Sequence, residues 1–300
     1  MEQVTVNTLF IVGVAATCGA VLMGGIGIVN RSDRAKYQAE WLKFGILLLL
    51  IIIMLGAGSF GKWGLLPVTL FLGYFAWQEI IQSVEKKYGE ITNSMLLPIL
   101  GILGILGGLG GTSFSVCLGV IIATWGVIAL PIIISRKPPA MHGILAAGFG
   151  IIFITLPLAI LLVLVDADYR IFTFLILLVM ANDGFSAGFG RFLGKTPLCP
   201  AISPNKTWEG AIAGVLTCTV AGFFLHFTVP EWHLWQVLSI SVGISLLSLT
   251  GDLITSSLKR EAGIKDFGQV LFVTGGVLDK FDSLLFSLPM FYVVTMWIGG

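Results

Sequence analysis

The chain is organised around residues 251–283, which read GDLITSSLKREAGIKDFGQVLFVTGGVLDKFDS. This stretch holds five carboxylates and four basic side chains, whereas the segments before and after it are apolar. A charged group kept close to hydrocarbon costs free energy, so several such groups retained there indicate a functional site. We therefore expect this stretch to lie at or just inside a membrane surface and to carry the chemistry of the protein.

The composition is that of a membrane protein. Of the 300 residues, 56% are apolar and 11% are charged, and the mean hydropathy is +0.98. Soluble chains carry about 25% charged residues, and a spanning helix needs roughly 20 mostly apolar residues. Such runs recur from end to end, so we predict an all-α, polytopic integral membrane helical bundle with no soluble domain. The four cysteines form no CxxC pair, which argues against a disulfide framework or a zinc site.

Ten apolar segments predict ten transmembrane helices. They cover residues 5–29, 44–60, 63–82, 93–109, 113–134, 143–164, 170–190, 209–229, 235–256 and 283–299. With the N-terminus outside, all but two of the 17 Lys and Arg residues fall in cytoplasmic segments, as the positive-inside rule requires. The two exceptions are Lys62 and Arg170. We therefore predict that both termini lie outside.

The longer cytoplasmic loops lie in the second half of the chain. They cover residues 191–208 and 257–282, whereas the outer loops are short turns with aromatic residues at the interface. We therefore divide the chain into an N-terminal region of helices 1–5, residues 1–135, and a C-terminal catalytic region, residues 136–300. The active site is expected to face the cytoplasm.

The first group of candidate residues runs from Asp183 to Gly210. Asp183 lies near the inner end of the seventh predicted span, and the loop after it combines lysines with small hydroxyl residues. Ammonium groups, hydroxyls and backbone amides suit phosphate oxygens. The candidates are Asp183, Lys195, Ser203, Lys206 and Thr207. Two alternatives stay open: Asp183 as an interfacial acid that reaches water, and Thr207 as the N-cap of the next helix, which is compatible with phosphate binding there.

The second group is the charged stretch itself. Asp252, Ser256 and Lys259 share one face of a helix that we expect to end just after Ser256, about one turn beyond Asp252. Asp279 and Asp282 are three residues apart and can face one way on a helix. Hard oxygen ligands beside phosphate-binding lysines indicate magnesium, which takes one or two carboxylates together with substrate oxygens and water. The alternative is a solvated loop of paired charges.

Glu79 is an acid near the inner end of the third predicted span. It is either a supporting acid for the site or an interfacial side chain that snorkels to water. The three histidines have no metal-ligand spacing, so we expect none of them to be catalytic.

The two groups together resemble the motifs of the phosphatidate cytidylyltransferases, also called CDP-diacylglycerol synthases. The first motif, GK followed by SP-x-KT-x-x-G, is matched by Gly194, Lys195, Ser203, Pro204, Lys206, Thr207 and Gly210. The second motif reads S-x-hydrophobic-K-R-x4-K-D-x-small and then H-G-G-x-x-D-R-x-D. It is matched by Ser256, Leu258, Lys259, Arg260, Lys265, Asp266, Gly268, Gly275, Gly276, Asp279 and Asp282. The resemblance covers mainly the C-terminal part of the chain.

The resemblance implies a membrane-embedded, magnesium-dependent nucleotidyltransferase that joins CTP to phosphatidate, giving CDP-diacylglycerol and pyrophosphate. It implies that Asp252 and Asp279 hold the metal centre, in which potassium can accompany magnesium. The catalytic residues it places at the reacting phosphates are Ser203, Lys206, Lys259 and Arg260. The residues expected to bind substrate are Asp183, Lys195, Thr207, Ser256, Lys265, Asp266, Lys280 and Asp282. A homodimer in a bacterial inner membrane, without a nucleic-acid partner, is also expected.

Four positions depart from the family motifs. Thr274 stands where the family has histidine, Lys280 where it has arginine, Phe272 where it has proline or glycine, and Ala187 where it has an aromatic residue. Lysine cannot form the bidentate fork of arginine, and threonine cannot exchange a proton near neutral pH as histidine does. Three hypotheses therefore remain: cytidylyl transfer to phosphatidate, the same chemistry on another lipid or polyol phosphate, and a non-catalytic membrane homologue.

Overall fold

The described part of the protein is built from apolar helices. The structure is a computed structural model, and apart from Gly13 it describes residues 34–91, 93–135, 140–268 and 275–299. The helices of these residues are α1 (Arg34–Gly58), α2 (Gly61–Tyr88), α3 (Leu96–Leu106), α4 (Ser113–Ser135), α5 (Met141–Gly150), α6 (Leu156–Ala167), α7 (Tyr169–Leu193), α8 (Trp208–Leu225), α9 (Leu234–Glu261) and α10 (Leu278–Gly299). Short 3-10 turns follow α3 and α8, at Gly107–Gly110 and His226–Thr228, and a π-helical turn, Ile151–Thr155, joins α5 to α6. Two strands, β1 (Pro197–Cys199) and β2 (Ser203–Thr207), form an antiparallel hairpin between α7 and α8.

The structure confirms a polytopic helical membrane protein. Within the described residues, eight helical segments are long and apolar enough to cross a membrane. They are Trp41–Gly58, Gly61–Tyr88, Ser113–Ile134, Met141–Ala167, Tyr169–Leu193, Trp208–Thr228, Leu234–Glu261 and Leu278–Ile298. These segments coincide with eight of the ten predicted spans. The first predicted span, residues 5–29, lies outside the described residues, and the fourth corresponds to a shorter apolar helix, Leu96–Gly110.

Helix α9 is longer than the sequence predicted. It continues past the expected end near Ser256 as far as Glu261, so Asp252 lies more than two turns from the end of the helix rather than one. Charge marked the predicted boundary, yet lysine and arginine are good helix formers. The chain turns away only at Gly263, whose φ of +66° suits a residue without Cβ.

Helix α10 begins earlier than the sequence predicted. Its first residue is Leu278, so Asp279 and Asp282 stand on the first turns of a helix instead of in the preceding loop. An acid in the first turn is favourable because the helix N-terminus carries partial positive charge. Helix α7 ends later than the sequence predicted: it continues to Leu193, into the predicted loop that begins at residue 191.

The chain divides into two compact units, with boundaries within α1, at the start of α7 and within α9. The first unit comprises Met1–Gly56 and Arg170–Leu253, and the second comprises Ala57–Tyr169 and Ile254–Gly300. The predicted N-terminal and C-terminal regions are a different division of the chain and stay a prediction.

In the first unit, α7 supplies the core. Its residues from Phe172 to Met180 are all buried. The ring of Phe174 meets that of Trp232 edge-on, with 5.7 Å between centroids. A Cβ at Gly214 of α8 would lie 3.0 Å from Asn182 Oδ1, so a small residue is needed where α8 packs on α7.

In the second unit, α6 is the central helix. Every residue from Pro157 to Val165 is buried, and α6 contacts α2, α3 and α10. Trp77 of α2 is fully buried, lies against Gly101 and Gly150, and donates a hydrogen bond from Nε1 to Thr155 Oγ1 at 3.1 Å. The two glycines leave room for the indole, because a Cβ at either position would overlap with it.

The second unit has two polar ends. Helix α2 begins at one end, where Lys62 pairs with Asp166 at 2.8 Å and where a Cβ at Gly111 would lie 3.2 Å from the same carboxylate. It finishes at the other end, where Lys87 pairs with Glu261. Helix α3 and its 3-10 turn therefore carry the chain from one end of the unit to the other. This path supports the fourth predicted span, although α3 is short for a spanning helix.

Candidate active site

The β-hairpin between α7 and α8 carries the first motif. Glu209, in the first turn of α8, accepts hydrogen bonds from the backbone N–H of Lys195 at 3.1 Å and from the hydroxyl of Thr196 at 2.9 Å. Thr207 has an extended backbone and accepts a hydrogen bond from Gly210 N at 3.2 Å, so the predicted N-cap is confirmed. These bonds hold the hairpin against the start of α8.

The glycines of the first motif are packing positions. A Cβ at Gly194 would lie 2.6 Å from Thr207 Oγ1, and one at Gly210 would lie 2.9 Å from Gly190 Cα. Both separations are shorter than van der Waals contact, so the end of α7 and the start of α8 approach too closely for a larger residue. This close approach sets the path of the hairpin and, with it, the position of Lys206.

Lys206 of β2 forms an ion pair with Asp252 of α9. Nζ lies 2.6 Å from Asp252 Oδ2, and the two side chains are 17% and 42% exposed. The nitrogen itself is shielded from solvent, and among the described residues it has no partner in hydrogen-bond geometry, so the contact is electrostatic. An ammonium group carries three N–H donors. Lys206 therefore keeps donors for an additional oxygen-rich ligand.

Lys259 and Asp279 form a second ion pair, which is buried. Lys259 Nζ lies 2.7 Å from Asp279 Oδ1, and the side chains are 11% and 7% exposed. Asp279 Oδ2 accepts two backbone hydrogen bonds, from Phe267 N at 3.1 Å and from Gly276 N at 2.9 Å. The ring of Phe267 also lies 5.6 Å from the ammonium group. A buried ion pair is tolerated when its hydrogen-bonding groups are satisfied, and both oxygens of this carboxylate have partners.

Glu79 supports the turn ahead of Asp279 from a distant part of the chain. It is 2% exposed, and its two oxygens accept hydrogen bonds from Val277 N and Leu278 N, each at 2.8 Å. The alternative of a snorkelling side chain is therefore wrong, because the carboxylate is buried at the start of α10. A supporting acid was one of the two alternatives that the sequence left open, and no local pattern identified the turn that it supports.

Asp282 faces α9 rather than the turn. It is 4% exposed, and its two oxygens accept hydrogen bonds from the hydroxyl of Thr255 at 2.6 Å and from Ser283 N at 2.8 Å. Its role in substrate binding stays a prediction. Sequence reasoning does not identify Thr255, although the spacing carries a signal. Thr255 and Lys259 are four residues apart on α9, and Asp279 and Asp282 are three apart on α10, as expected for helices that pair at successive turns.

In the first unit, the predicted residue Asp183 is bound by Asn182, which is buried on α7. Asn182 donates from Nδ2 to Asp183 Oδ1 at 3.3 Å, and its own Oδ1 accepts a hydrogen bond from Ser245 at 2.5 Å. Asp183 is half-buried, and its role stays a prediction. Ser203 is half-buried at the start of β2, and the side chain of Lys195 is exposed.

The remaining predicted residues of the second unit range from buried to exposed. Ser256 is buried on α9, and Arg260 is exposed and donates to the carbonyl of Ile264 at 3.2 Å. Lys265 and Asp266 are exposed in the segment after α9. As to the four departures, Ala187 is exposed on α7, Lys280 is half-buried in the first turn of α10, and Phe272 and Thr274 lie outside the described residues.

The predicted metal ligands fit magnesium that is shared with phosphate groups. Among the residues that the structure describes, no three Asp, Glu, His or Cys side chains cluster as a complete metal site. Asp252 and Asp279 are each paired with a lysine. Magnesium takes one or two carboxylates and fills its other positions with substrate oxygens and water, so a complete protein cage is not required. The donor chemistry therefore fits magnesium that arrives with a nucleotide.

The fold and the site define a class of protein: a multi-pass helical membrane protein with lysine–carboxylate pairs suited to phosphate and metal. A family model described as "Cytidylyltransferase family" matches residues 41–298. The chain therefore belongs to the cytidylyltransferase family, which confirms the resemblance of its motifs.

Phosphatidate cytidylyltransferases of staphylococci are similar to part of the chain. That of Staphylococcus epidermidis is 39% identical over 127 residues, which cover 42% of this chain and 48% of the relative. That of Staphylococcus haemolyticus is 38% identical over 127 residues, with the same 42% and 48% covered. That of Staphylococcus saprophyticus is 38% identical over 134 residues, which cover 43% and 50%. The chain spans about half the length of the curated relatives it matches.

Proposed function

We propose that the protein is a magnesium-dependent cytidylyltransferase that joins CTP to phosphatidate and gives CDP-diacylglycerol and pyrophosphate. Membership in the family and the names of the relatives support this proposal. The observation that carries it is the pairing of Lys206 with Asp252 and of Lys259 with Asp279. The motifs assign phosphate binding to both lysines and metal binding to both aspartates, so each pair combines the two chemistries that a metal nucleotide requires.

The proposed reaction depends on positioning and charge stabilisation rather than on a base. An oxygen of the phosphatidate phosphate attacks the α-phosphorus of CTP and forms the new P–O bond. The bond from the α-phosphorus to the bridging oxygen breaks, and pyrophosphate leaves with the electron pair. A phosphate monoester is largely dianionic at neutral pH, because its second pKa is about 6, so no general base is needed.

Asp252 and Asp279 are the proposed metal ligands. They would hold a magnesium ion, which would supply positive charge to offset the charge on the leaving group, and potassium is the proposed second ion. In the structure, Lys206 and Lys259 neutralise the two aspartates. With a cation on the aspartates, the ammonium groups of Lys206 and Lys259 would be available to bind the phosphates of CTP. We therefore expect CTP and Mg²⁺ to enhance each other's binding. Mg²⁺ would replace the lysines as the partner of the aspartates, and the phosphates of CTP would replace the aspartates as the partner of the lysines.

The remaining motif residues complete the proposed substrate site. Ser203 and Arg260 are proposed to act at the reacting phosphates. The proposed substrate-binding residues are Asp183, Lys195, Thr207, Ser256, Lys265, Asp266, Lys280 and Asp282. The distribution of lysine and arginine supports a site that faces the cytoplasm. A homodimer in a bacterial inner membrane is part of the proposal, and the bacterial source of the relatives supports the membrane assigned.

The test of this proposal is cytidylyl transfer by the purified chain. With labelled CTP, Mg²⁺ and phosphatidate in detergent micelles, we expect Mg²⁺-dependent release of pyrophosphate. Asp252→Asn and Asp279→Asn should each lower turnover by about 100-fold or more, because a metal ion contributes several kcal/mol of transition-state stabilisation. Asp166→Asn is the matched control, since Asp166 also pairs with a lysine, Lys62, at 2.8 Å. Unchanged turnover in both aspartate variants would refute the metal assignment.

A different phosphorylated acceptor is the second candidate, and the departures from the family motifs favour it. Lys280 stands in place of arginine and directly follows Asp279 in the first turn of α10, and Ala187 replaces an aromatic side chain. The purified chain should be assayed with phosphatidate and with a panel of lipid and polyol phosphates. A clear preference for phosphatidate removes this candidate. Mg²⁺-dependent binding of CTP without turnover on any acceptor indicates a non-catalytic homologue.

A further inference from the structure

Glu79 is a buried acid that belongs to neither motif. It lies on α2, in the N-terminal half of the chain, and only 2% of its surface is exposed. Burying a carboxylate in an apolar helical bundle is costly unless its charge is compensated. A residue needed only to fill space at this position would therefore be apolar. The acid must stabilise something specific.

The acid holds the first backbone amides of α10. The N–H groups of Val277 and Leu278 each donate to one oxygen of Glu79, at 2.8 Å. The first amides of a helix have no partner within the helix, and the partial positive charge there favours a carboxylate. Glu79 thus caps a helix from a distant part of the chain, which is a stronger constraint on position than a cap from the adjacent residue.

The preceding amide of the same turn holds Asp279. Gly276 N donates to Asp279 Oδ2 at 2.9 Å, so three consecutive amides are divided between two carboxylates. The first serves Asp279, and the next two, of Val277 and Leu278, serve Glu79. Because consecutive peptide groups are rigid planes, the orientation of the second and third amides restricts that of the first. Glu79 therefore anchors the two peptide groups that follow the donor bound to Asp279.

Glycines allow the backbone to fit this closely around the two acids. A Cβ at Gly276 would lie 2.5 Å from Glu79 Oε1, and one at Gly268 would lie 2.8 Å from the same atom. A Cβ at Gly275, where φ is +96°, would lie 2.9 Å from Asp279 Oδ2. The Gly275-Gly276 pair of the second motif therefore has a physical purpose: it admits one carboxylate on each side of the turn.

We propose that Glu79 is a positioning residue for Asp279. The proposal rests on the proposed function, in which Asp279 is a metal ligand. Glu79 holds the turn so that Gly276 N and Phe267 N occupy Asp279 Oδ2. The other oxygen, Oδ1, is bound to the side chain of Lys259, which can move, and Oδ1 is the oxygen that becomes available to a cation. Glu79 makes its hydrogen bonds to the backbone of the turn and acts on Asp279 through them.

The test is metal binding by the purified chain carrying Glu79→Gln. A glutamine oxygen can accept one of the two amides, but its NH₂ group faces the other, so the turn must shift. Binding of Mn²⁺ in the presence of CTP, followed by the electron paramagnetic resonance signal of free Mn²⁺, should weaken by about 10-fold or more, as is typical when a group that orients a ligand is lost. The Mg²⁺ concentration for half-maximal turnover should rise by a similar factor, with kcat largely regained at saturation.

The matched control is Thr155→Val. It removes the buried hydrogen bond that Trp77 donates to Thr155 at 3.1 Å. Trp77, like Glu79, is a buried residue of α2, but this hydrogen bond does not involve Asp279. Thr155→Val should lower the unfolding temperature and leave Mn²⁺ affinity unchanged. If Glu79→Gln does the same, Glu79 is a structural cap and the proposal is overturned.

Asp279→Asn separates failure of this proposal from failure of the proposed function. If Asp279→Asn leaves Mn²⁺ affinity unchanged, the metal assignment fails and the role of Glu79 falls with it. If Asp279→Asn weakens binding, the double variant with Glu79→Gln should bind no more weakly, because an orienting residue has no effect once its target is lost. Additive losses would contradict the proposal.

If Glu79→Gln fails to fold, Glu79→Asp is measured in the same way, because its shorter carboxylate cannot reach both amides. Unchanged Mn²⁺ affinity in Glu79→Asp would overturn the proposal.

Discussion

The two lysine–aspartate pairs have the same chemistry and different surroundings. In the pair of the first unit, Lys206 with Asp252, 42% of the aspartate side chain is exposed, whereas the ammonium nitrogen is shielded from solvent. The pair in the second unit, Lys259 with Asp279, is buried, with 7% of the aspartate exposed and two backbone amides bound to it. A pair whose carboxylate reaches water exchanges partners at a lower cost than a pair that is buried throughout, because water solvates the carboxylate. A buried pair is preorganised, so the same residue types supply an adaptable contact in one unit and a rigid one in the other.

The largest effect on stability is expected from Asp279→Asn. It leaves the ammonium group of Lys259 buried without its counter-charge, and removing one partner of a buried pair costs about 3–5 kcal/mol. Asp252→Asn should cost less than Asp279→Asn, because 42% of the Asp252 side chain is exposed. Thermal unfolding in detergent, followed by circular dichroism, measures both. Equal losses of stability in the two variants would show that burial does not distinguish the two pairs energetically.

A double variant sharpens this comparison. Lys259→Met combined with Asp279→Asn removes both charges of the buried pair. Replacing a buried ion pair by uncharged groups is often close to neutral, so the double variant should regain most of the stability lost by Asp279→Asn and remain inactive. If the loss persists, the backbone bonds to the carboxylate, rather than the ion pair, stabilise this end of the second unit.

A smaller effect is expected from Gly276→Ala, which tests how tightly the buried pair is enclosed. The new Cβ would lie 2.5 Å from Glu79 Oε1, and displacing well-packed groups costs about 1–3 kcal/mol. Gly243→Ala on α9 is the control, because a Cβ there meets nothing within 4 Å and alanine is favoured over glycine in a helix by about 1 kcal/mol. The same unfolding assay applies. If Gly276→Ala leaves the unfolding temperature unchanged, the turn can accommodate a Cβ and is less tightly packed than the structure indicates.

A comparable or smaller loss of stability is expected from Thr255→Val. Thr255 lies one helical turn from Lys259 of the buried pair. Its hydroxyl donates to Asp282 at 2.6 Å, and both residues are buried. Removing the donor should cost about 1–3 kcal/mol, whereas Ser257→Ala, at an exposed position of the same helix, should be within about 0.5 kcal/mol of neutral. Lost turnover with normal stability would instead support the predicted role of Asp282 in substrate binding.

The helices were predictable because hydropathy is a local property of the chain. Eight predicted spans coincide with long apolar helices of the described residues, and Thr207 caps α8 as its sequence context indicated. Helix ends were less predictable, since charge served as the boundary signal. Lys259 and Asp279 extend α9 and α10 beyond those boundaries because each has a partner inside the protein.

By itself, the sequence determined a membrane-spanning helical protein of the cytidylyltransferase family, because apolar run length and motif spacing are properties of the linear chain. Only the tertiary structure decided which groups meet. Glu79 reaches the amide of Val277, 198 residues further on, and Thr255 reaches Asp282. Such contacts depend on which helices pack together, and packing follows from side-chain volume and from close approach at glycines in three dimensions, which the spacing of residues along the chain does not by itself determine.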